Sequence, residues 1–355
     1  MKDVSPKNAK IAIYGAGAMG TVLGTLLTLG GQENTWLITR NRAHVDGLKT
    51  NGATLVCTAE QKELSSPVKA CLPQEMSGKY DVIFLMTKQR QNEEILQFLL
   101  PFMHENTIVC TTQNGLPEPS VESVVGKERT FGGVASFGAT FIGEGKVALT
   151  SAFAGMRLQT AGLIENSEKA KLLTDVLSLA GKAINNESFA QKAENLQGAR
   201  WSKLAINAAF SGLSVVTGLT FGEIAKRKKT RKIALGILRE CMSTANALGV
   251  TLEPMQGHDM QKLLGGNGFF KTRFALFALP FAMKRHSMLV SGMLKDVQGG
   301  KKCEIDFIDG VVVQRAKQTG VKTPLCEKVV ELVHGIESGL YEITYDNVAF
   351  FKSKK

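Results

Sequence analysis

Apolar and polar positions alternate along the first half of the chain in a way that predicts strands separated by helices. Short β-type apolar runs lie at residues 11–14, 35–39, 81–86 and 107–111, and helical patterns cover residues 17–29 and 92–103. Glycine and β-branched residues recur between about 131 and 158, which is typical of further strands. Because strands that alternate with crossover helices favour a parallel, doubly wound sheet, we expect an α/β fold with an N-terminal Rossmann domain.

The pattern changes after about residue 185, where helical periodicities dominate. They cover residues 194–216, 230–248, 302–318 and 326–337, with glycine and proline concentrated at the breaks between them. The sequence therefore predicts a dinucleotide-binding Rossmann domain at residues 1–185 and a mostly helical substrate domain at 186–340. A short C-terminal tail would occupy residues 341–355.

Composition and charge narrow the class of protein. The 355 residues are 44% hydrophobic and 21% charged, as in ordinary globular proteins, and this length favours two domains. The formal net charge of +11 is compatible with nucleic acid, a membrane surface or a polyanionic small molecule. Because the basic residues are spread along the chain, we favour the small molecule and expect neither nucleic acid nor membrane as a partner. The densest basic cluster, residues 226–232, is expected to be a solvated helix face or loop.

Cysteine spacing and apolar run lengths indicate the compartment. The six cysteines lie far apart and show no metal-ligand spacing, so we expect no metal site and no disulfide framework. The first ten residues lack the apolar core of a signal peptide, and no apolar run is long enough for a membrane span. A cytoplasmic location is the resulting expectation.

Residues 15–20 form a glycine-rich turn at a position where one would bind a dinucleotide. They read G-A-G-A-M-G, directly after a predicted strand and at the start of a predicted helix. The three glycines suit a tight turn, a close approach of backbone to pyrophosphate, and tight helix–strand packing, while the helix N-terminus attracts phosphate. The cofactor-binding residues expected here are Gly15, Gly17, Ala18, Met19 and Gly20.

The end of the second predicted strand distinguishes the two nicotinamide cofactors. Residues 39–42 read T-R-N-R, where NAD sites usually carry an acidic residue. A guanidinium pairs with the 2′-phosphate of NADP, so Arg40, supported by Arg42, predicts NADPH/NADP+. The alternative is that both arginines are ordinary surface residues of a loop. Polar segments at two further strand ends, residues 87–91 and 113–115, are additional site candidates.

One helical segment of the second domain combines polar and apolar residues in an unusual way. Lys203, Asn207 and Ser211 are spaced i, i+4, i+8 and form a polar stripe on a helix that is otherwise apolar. A lysine in such a helix needs a partner or a cleft. The other interpretation is a lysine at the helix edge whose ammonium reaches solvent.

Taken together, these segments resemble the ketopantoate reductase (2-dehydropantoate 2-reductase) family from about residue 10 to about residue 338. The resemblance is carried by the order and spacing of the glycine turn, Lys88 with Gln91, the segment 113–115, the W-x-K-x3-N pattern at 201–207, and E-I-D at 304–306 before Gly310. It implies an enzyme, an NADP-dependent oxidoreductase that reduces 2-dehydropantoate to pantoate in pantothenate and coenzyme A biosynthesis.

The resemblance also implies roles for individual residues. Lys203 would be the general acid that protonates the ketone oxygen, and Glu304 would bind and orient the substrate. The other implied contacts are Asn207 to the substrate, Asn114 beside the nicotinamide and the reacting carbon, and Lys88 with Gln91 along the cofactor cleft. By sequence alone, Glu304 could instead lie on the first turn of a solvent-facing helix, where Asp306 and Asp309 would also be at home.

Two departures from the family pattern concern substrate binding. Ser211 stands where the family has a second asparagine, and Gly292 stands where it has a serine before Met293-Leu294. Ser291 is adjacent and could substitute only if its loop shifts. Because a site built to hydrogen-bond one substrate discriminates strongly, these changes could redirect specificity.

Three hypotheses about function therefore remain open. The first is reduction of 2-dehydropantoate, and the second is reduction of another 2-oxo acid by the same residues. The third is a non-catalytic NADP-binding sensor, although a sensor does not need a buried general acid. The sequence is silent on oligomeric state, and a homodimer is left open.

Overall fold

The computed structural model describes residues 4–254, 259–266 and 268–351. The chain divides into two compact units, of which the first comprises Met1–Gln113 with Pro117–Leu196. The second comprises Asn114–Leu116 with Gln197–Lys355.

The first unit is an α/β structure built on two sheets. Its strands are β1 (Ile11–Tyr14), β2 (Thr35–Ile38), β3 (Ala53–Cys57), β4 (Lys62–Ser66), β5 (Lys69–Cys71), β6 (Tyr80–Leu85), β7 (Met103–Thr111), β8 (Thr130–Ala135), β9 (Ala139–Gly143), β10 (Lys146–Leu149), β11 (Leu158–Gly162) and β12 (Ala190–Lys192). Its helices are α1 (Ala18–Leu29), α2 (Arg42–Asn51), α3 (Asn92–Leu99), α4 (Glu118–Val125) and α5 (Ser167–Lys182). Short 3-10 turns lie at Pro73–Glu75, Gln89–Gln91, Leu100–Phe102 and Phe153–Gly155.

The larger sheet has the strand order of a Rossmann domain. Its eight strands run β12-β11-β8-β7-β6-β1-β2-β5. The six strands from β8 to β5 pair in parallel, and β11 is antiparallel to β8. Strand order reverses direction between β1 and β6, and in open α/β sheets ligands bind outside the carboxyl ends of the strands at such a point. The prediction of an N-terminal doubly wound sheet is confirmed.

Hydrophobic burial explains why these segments form the central strands. All four residues of β1 are buried, and they pair with β2 on one side and β6 on the other. Ile11 and Ile13 pack with Leu23 and Leu27 of α1 in one apolar cluster, whereas Ala12 and Tyr14 contribute to another on the opposite face. Strands that are buried on both faces have continuous apolar runs in their sequence, and such runs predicted these strands.

A second, four-stranded sheet was not foreseen from the sequence. Its order is β4-β3-β10-β9, and β3 pairs in parallel with β10 although the two are far apart in the chain. Polar residues dominate β4, and the strands of this sheet are short, so hydrophobic periodicity gave no strong signal. Helix α5 was also not identified, although its apolar face is buried against β11, β12 and α1.

The second unit is helical, as expected. Its helices are α6 (Leu196–Asn207), α7 (Leu213–Thr217), α8 (Phe221–Lys226), α9 (Lys228–Ala247), α10 (Met260–Leu264), α11 (Phe269–Ala282), α12 (Gly292–Gln298), α13 (Asp309–Thr319) and α14 (Pro324–Glu337). A π-helical turn at Ala208–Gly212 joins α6 to α7, and 3-10 turns lie at Lys284–His286, Ile305–Phe307 and Tyr345–Phe351. Apolar residues of α6 to α14 form one large buried cluster.

The boundaries between the units differ from those expected at residues 185 and 340. The first unit continues to Leu196 because β12 pairs in parallel with β11 and so extends the larger sheet. The segment 341–351 belongs to the second unit, where Val348 joins the apolar cluster and the Asn347 side chain donates to the carbonyl of Val216 at 2.9 Å. The predicted helix at 302–318 begins at Asp309, because Ile308 has non-helical dihedral angles.

Helix lengths and hydropathy bear on membrane insertion. Among the residues that the structure describes, no helix is both long enough and apolar enough to span a bilayer. The basic cluster at 226–232 lies at the junction of α8 and α9, where most of its side chains are exposed as expected.

Candidate active site

The glycine turn between β1 and α1 requires glycine at its first position. Gly15 has a φ of +102°, and a Cβ built there would lie 2.6 Å from the backbone of Met86 and Thr87. The backbone N–H groups of Gly15 and Ala16 donate to the carbonyl of Ile38 at 2.9 Å. The turn is therefore held tightly between the ends of β2 and β6, and no other residue could occupy position 15 without displacing backbone.

The other two glycines have different surroundings. A Cβ at Gly17 would have no atom within 4 Å, whereas a Cβ at Gly20 would lie 2.6 Å from the carbonyl oxygen of Gly15 and 3.0 Å from Ile13. Gly20 thus allows α1 to pack closely on β1. Gly17 faces open space at the helix N-terminus, where no side chain of the described residues caps the first turn. Open space beside uncapped N–H groups at the positive end of a helix dipole fits the pyrophosphate of a dinucleotide.

The structure brings two of the candidate cofactor residues into contact. Arg40 is exposed just beyond β2, and its Nη2 donates to Oε1 of Gln91 at 2.7 Å. Arg42 begins α2 and lies 3.8 Å from the Glu75 carboxylate. Lys88 follows β6 and is also exposed. Arg40 therefore presents a guanidinium at the strand end where a ribose 2′-phosphate would need it, while Arg42 already has an acidic neighbour.

A buried amide pair, missed by the sequence analysis, fixes the ends of β6 and β7. The Gln113 Nε2 donates to Asn92 Oδ1 at 2.7 Å, and the Asn92 Nδ2 donates back to Gln113 Oε1 at 3.1 Å. Gln113 Nε2 also donates to the carbonyl of Thr87 at 2.8 Å. The Gln113 side chain thus anchors the loop, and the next residue, Asn114, is exposed. Asn92 gave no signal because its partner is distant in sequence.

Lys203 lies on α6 among buried apolar residues, as the helical stripe predicted. Its neighbours Leu204 and Ala205 are almost fully buried, whereas the Lys203 side chain retains partial exposure. Burial lowers the pKa of Lys203 to about 8, and the nearby cation of Arg200 lowers it further in the same direction. A lysine with such a pKa exchanges its proton readily near neutral pH, which suits a general acid.

Arg200 is a residue that the sequence analysis did not single out. Its side chain is only 1% exposed and lies three residues before Lys203 on the same helix. Residues at i and i+3 are neighbours on a helix surface, so this spacing was the available signal. A buried cation at that distance disfavours a second charge, and this is why Arg200 contributes to the lowered pKa of Lys203.

The π-helical turn changes the position of Ser211 relative to Lys203. In a continuous α-helix, each step of four residues overshoots a full turn by about 40°, so Ser211 would lie about 80° from Lys203. A π turn accommodates more residues per turn than an α turn. The turn at Ala208–Gly212 therefore removes part of this overshoot and moves the buried Ser211 toward the line of Lys203 and Asn207. Such π turns are frequent at functional sites.

Ser291 and Gly292, at the start of α12, differ in the space around them. Ser291 is 2% exposed, and its hydroxyl caps α12 by accepting a hydrogen bond from the N–H of Met293 at 3.1 Å. A Cβ at Gly292 would meet no atom within 4 Å. The Ser291 hydroxyl is therefore already used as a cap, and space exists at 292 where this chain carries no side chain.

The acidic segment after α12 contains three different environments. Glu304 is half-buried just before the 3-10 turn Ile305–Phe307, and Asp306 is exposed beside His334, whose Nε2 lies 2.9 Å from its carboxylate. Asp309 is completely buried, and neither carboxylate oxygen has a hydrogen-bond partner among the described residues. Burial raises the pKa of Asp309 well above its usual range. The alternative in which Asp309 lies on a solvent-facing turn is wrong, because α13 packs that turn against α9 and α14.

Possible metal ligands and cysteine thiols are the remaining chemical groups of the chain. Among the described residues, no group of three or more His, Cys, Asp or Glu side chains could hold a metal ion. All six cysteines lie in the described part of the chain, where each is buried and none forms a disulfide.

Comparison with known proteins identifies one family along most of the chain. Residues 11–161 match the family described as Ketopantoate reductase PanE/ApbA, and residues 195–337 match Ketopantoate reductase PanE/ApbA C terminal. The 2-dehydropantoate 2-reductase of Lactococcus lactis subsp. lactis is 29% identical over 92% of this chain and 98% of its own length. That of Mesorhizobium japonicum is 27% identical over 94% of this chain and 99% of its own length.

Solved structures give the same fold and a wider range of chemistry. D-mandelate dehydrogenase, in a ternary structure with NADH and anilino(oxo)acetate, is 26% identical with a TM-score of 0.78, over 93% of this chain and 99% of its own. A PanE/ApbA family ketopantoate reductase from Ralstonia eutropha has a TM-score of 0.75 at 23% identity, over 93% of this chain and 98% of its own. Structures of this fold thus include proteins named for more than one 2-oxo or 2-hydroxy acid.

Proposed function

The chain belongs to the ketopantoate reductase family of oxidoreductases, and on this premise we propose that it reduces 2-dehydropantoate to pantoate with NADPH. This reaction would supply pantoate for pantothenate and coenzyme A biosynthesis. The cytosol is the compartment we propose for it, because all six buried cysteines remain thiols.

The observation that carries the proposal is the setting of Lys203. Reduction of a 2-oxo acid develops negative charge on the ketone oxygen, and a positioned ammonium can both stabilise that charge and neutralise it. The Lys203 side chain lies among buried apolar residues of α6, and burial together with the Arg200 cation lowers its pKa to about 8, so it is charged at neutral pH yet gives up its proton easily. Glu304 and Asn207 are the proposed substrate-orienting groups, with Ser211, Ser291 and Asn114 as further proposed contacts.

In the proposed reaction, Lys203 is the proton donor. A bound nicotinamide would supply a hydride to the ketone carbon. Lys203 donates one proton to the oxygen, so that the C=O bond becomes a secondary alcohol and the ammonium becomes a neutral amine. The amine then takes up a proton from solvent, which restores the general acid.

The choice of NADPH rests on the first unit. The turn at residues 15–20 would receive the pyrophosphate, and Arg40 would pair with the 2′-phosphate while Gln91 steadies its guanidinium. Arg42 and Lys88 would add positive charge nearby. D-mandelate dehydrogenase, which is similar to this chain, was solved with NADH, so both cofactors need to be tested.

A second candidate function is reduction of another 2-oxo acid. Ser211 and Gly292 replace side chains that the family uses to hold its substrate, and the space at Gly292 would accept a bulkier group. The similarity to a protein solved with anilino(oxo)acetate, which carries an aromatic ring, favours the same direction. The absence of a polar side chain at Gly292 would weaken discrimination between substrates.

A panel of 2-oxo acids separates the two candidates. Initial rates of NADPH and NADH oxidation would be measured with 2-dehydropantoate, 2-oxoisovalerate and phenylglyoxylate. We expect the highest kcat/KM for 2-dehydropantoate with NADPH. A higher kcat/KM for either other acid would move the assignment to the second candidate, and no turnover of any of them would overturn both.

We further propose a homodimer, on the basis of an aromatic stripe on α11. This stripe is defined as Phe269, Phe270, Phe274, Phe277 and Phe281, whose exposed fractions range from 56% to 84%. At these exposures the five rings offer roughly 700 Å² of apolar surface, since a phenylalanine can bury about 150–250 Å². Pairing two such stripes across a two-fold axis would bury about 1,400 Å², within the range of stable interfaces.

A further inference from the structure

A cavity in the helical unit is lined mainly by polar and basic residues with no assigned role. It has a volume of about 510 Å³ and lies between α9, the segment that contains α10, and the beginning of α11. Its lining consists of Arg239, Met242, Ser243, Asn246, Gln261, Lys262, Gly265, Gly266 and Lys271. Cavities of this size are typical of small-molecule sites.

One face of α9 forms a wall of the cavity. Arg239, Met242, Ser243 and Asn246 are spaced i, i+3, i+4, i+7 and therefore share one face of the helix. Three of these four side chains carry hydrogen-bond donors, and Met242 supplies an apolar contact. A helix face of this kind would ordinarily be covered by another element or by solvent, but here it borders a cavity.

The charged residues of the lining are all cations, and one of them has an acidic neighbour just outside the lining. Arg239, Lys262 and Lys271 are the three charged residues of the lining, and all are cations. Lys262 lies 3.4 Å from Asp259, at an exposed position outside the lining. Glu240, the acidic neighbour of Arg239 in sequence, already accepts the backbone N–H groups of Leu325 and Cys326.

The Arg239 guanidinium has unused hydrogen-bonding capacity. Its Nε donates to the carbonyl of Leu264 and its Nη1 to the hydroxyl of Thr272, both at 3.0 Å. Its Nη2 is buried without a hydrogen-bond partner, and among the described residues no carboxylate forms an ion pair with it. Two fixed bonds hold the guanidinium in place, and a buried donor that lacks an acceptor is costly. Nη2 is itself shielded from the cavity, so Arg239 acts on a ligand there through its positive charge.

We propose that this cavity binds a small molecule that carries a phosphate group, which the positive charges of Arg239, Lys262 and Lys271 would attract. A phosphate offers several oxygens to one site, which matches a guanidinium, two ammonium groups, the Ser243 hydroxyl and the Asn246 amide better than one carboxylate would. The remaining volume would accommodate an organic body against Met242. All lining residues belong to the helical unit, and none of them is a proposed dinucleotide or substrate contact, so the proposal does not depend on the proposed reaction.

Binding to this cavity is tested by calorimetric titration of the full chain. The probes are pyrophosphate and inorganic phosphate, with citrate as a polycarboxylate of comparable charge. The deciding variant is the double substitution K262E/K271E, which reverses two charges of the lining without touching the bonds of Arg239. We expect pyrophosphate affinity to fall by about tenfold or more, because like charges across a binding site are strongly unfavourable.

Two controls distinguish this site from other sources of anion binding. K317E/K322E makes the same charge change at exposed positions of the same unit, and R40E removes the cation beside the dinucleotide turn. Both should retain the pyrophosphate binding that K262E/K271E loses, and R239M should lose it as well.

The proposal is overturned if the wild type shows no saturable phosphate or pyrophosphate binding. It is equally overturned if K317E/K322E weakens binding as much as K262E/K271E, or if only R40E weakens it. Tighter binding of citrate than of pyrophosphate would overturn the assignment to phosphate. Because the two lysines are exposed, their replacement leaves the fold intact even where R239M fails to fold.

Discussion

Lys203 combines an ammonium group with surroundings that favour the neutral amine. Burial and the Arg200 cation act in the same direction on its pKa, which lies near 8. The sequence predicted the polar stripe that contains Lys203, because helical periodicity is local. The i, i+3 spacing of Arg200 and Lys203 was the available signal for their coupling. The isolation of the Asp309 carboxylate and the π turn that contains Ser211 gave no local signal, because they depend on packing between helices.

Substitution of Lys203 tests its proposed role as general acid. Lys203→Ala should lower kcat by about 10²- to 10⁴-fold, the usual contribution of a positioned acid, while the dissociation constant for NADPH stays nearly unchanged. Lys203→Arg is the matched control: it keeps the charge, but a guanidinium does not release its proton, so we expect it to be slow as well. Steady-state rates and fluorescence titration of NADPH provide the two readouts. An alanine variant with wild-type kcat would exclude Lys203 from proton transfer.

Charge reversal at Arg40 tests the choice of cofactor. Arg40→Glu should weaken NADPH binding by about tenfold or more and leave NADH binding much less affected, because the new carboxylate would repel only the 2′-phosphate strongly. Arg42→Glu is the comparison variant, since Arg42 is already beside Glu75, and we expect a smaller effect. The measurement is the ratio of the two dissociation constants. Equal losses for NADPH and NADH would contradict recognition of the 2′-phosphate by Arg40.

At the scale of elements, the glycine turn before α1 contains one glycine proposed for dinucleotide binding, Gly17, and another needed for packing of α1 on β1, Gly20. The order of β1, turn and α1 was predictable from the sequence because the apolar run, the glycines and the helical period are contiguous. The four-stranded sheet was not, since β3 and β10 join segments about ninety residues apart and their pairing leaves no local pattern. Glu304 likewise lies before α13 rather than within it, because the helix begins only after Ile308.

Two alanine substitutions in the glycine turn should have opposite consequences. Gly20→Ala should destabilise the protein by about 1–3 kcal/mol, because its Cβ would lie 2.6 Å from the carbonyl oxygen of Gly15. Gly17→Ala should leave stability within about 1 kcal/mol of wild type, because its φ is negative and its Cβ has open space. The same Gly17→Ala variant should weaken dinucleotide binding, since the methyl group would stand where the backbone approaches the pyrophosphate.

Thermal unfolding and NADPH titration of both variants provide the measurements. If Gly17→Ala bound NADPH as tightly as the wild type, the pyrophosphate would not lie against this turn. If Gly20→Ala were as stable as the wild type, α1 would not pack on β1 as closely as the structure indicates.

At the scale of the whole molecule, the aromatic stripe on α11 predicts the oligomeric state. Helix α11 was not predicted from the sequence, because its apolar residues surround the helix instead of forming one face, and helical periodicity is weak there. Only Ala275 and Leu279 of this helix are fully buried, which leaves the phenylalanines exposed on the isolated chain. An apolar patch of this size on a monomer usually marks an interaction site.

Replacement of the central rings tests the dimer. F274S/F277S should convert a dimer into a monomer in light scattering coupled to size-exclusion chromatography, because it removes the middle of the apolar surface. L340S, at an exposed apolar position outside the stripe, is the matched control and should leave the mass unchanged. A monomeric wild type, or a dimer that survives F274S/F277S, would contradict the proposed interface.

The pH dependence of the reaction tests the central claim most directly, because it measures the proton on Lys203. The reduction of the 2-oxo acid needs the ammonium form, so kcat/KM with NADPH should fall above a pH of about 8, whereas oxidation of the 2-hydroxy acid needs the neutral amine and should rise through the same range. In Lys203→Ala, the residual activity should lack this break in both directions. A wild-type reduction rate that stays level from pH 7 to pH 10, or a break that persists unchanged without Lys203, would show that the proton comes from elsewhere.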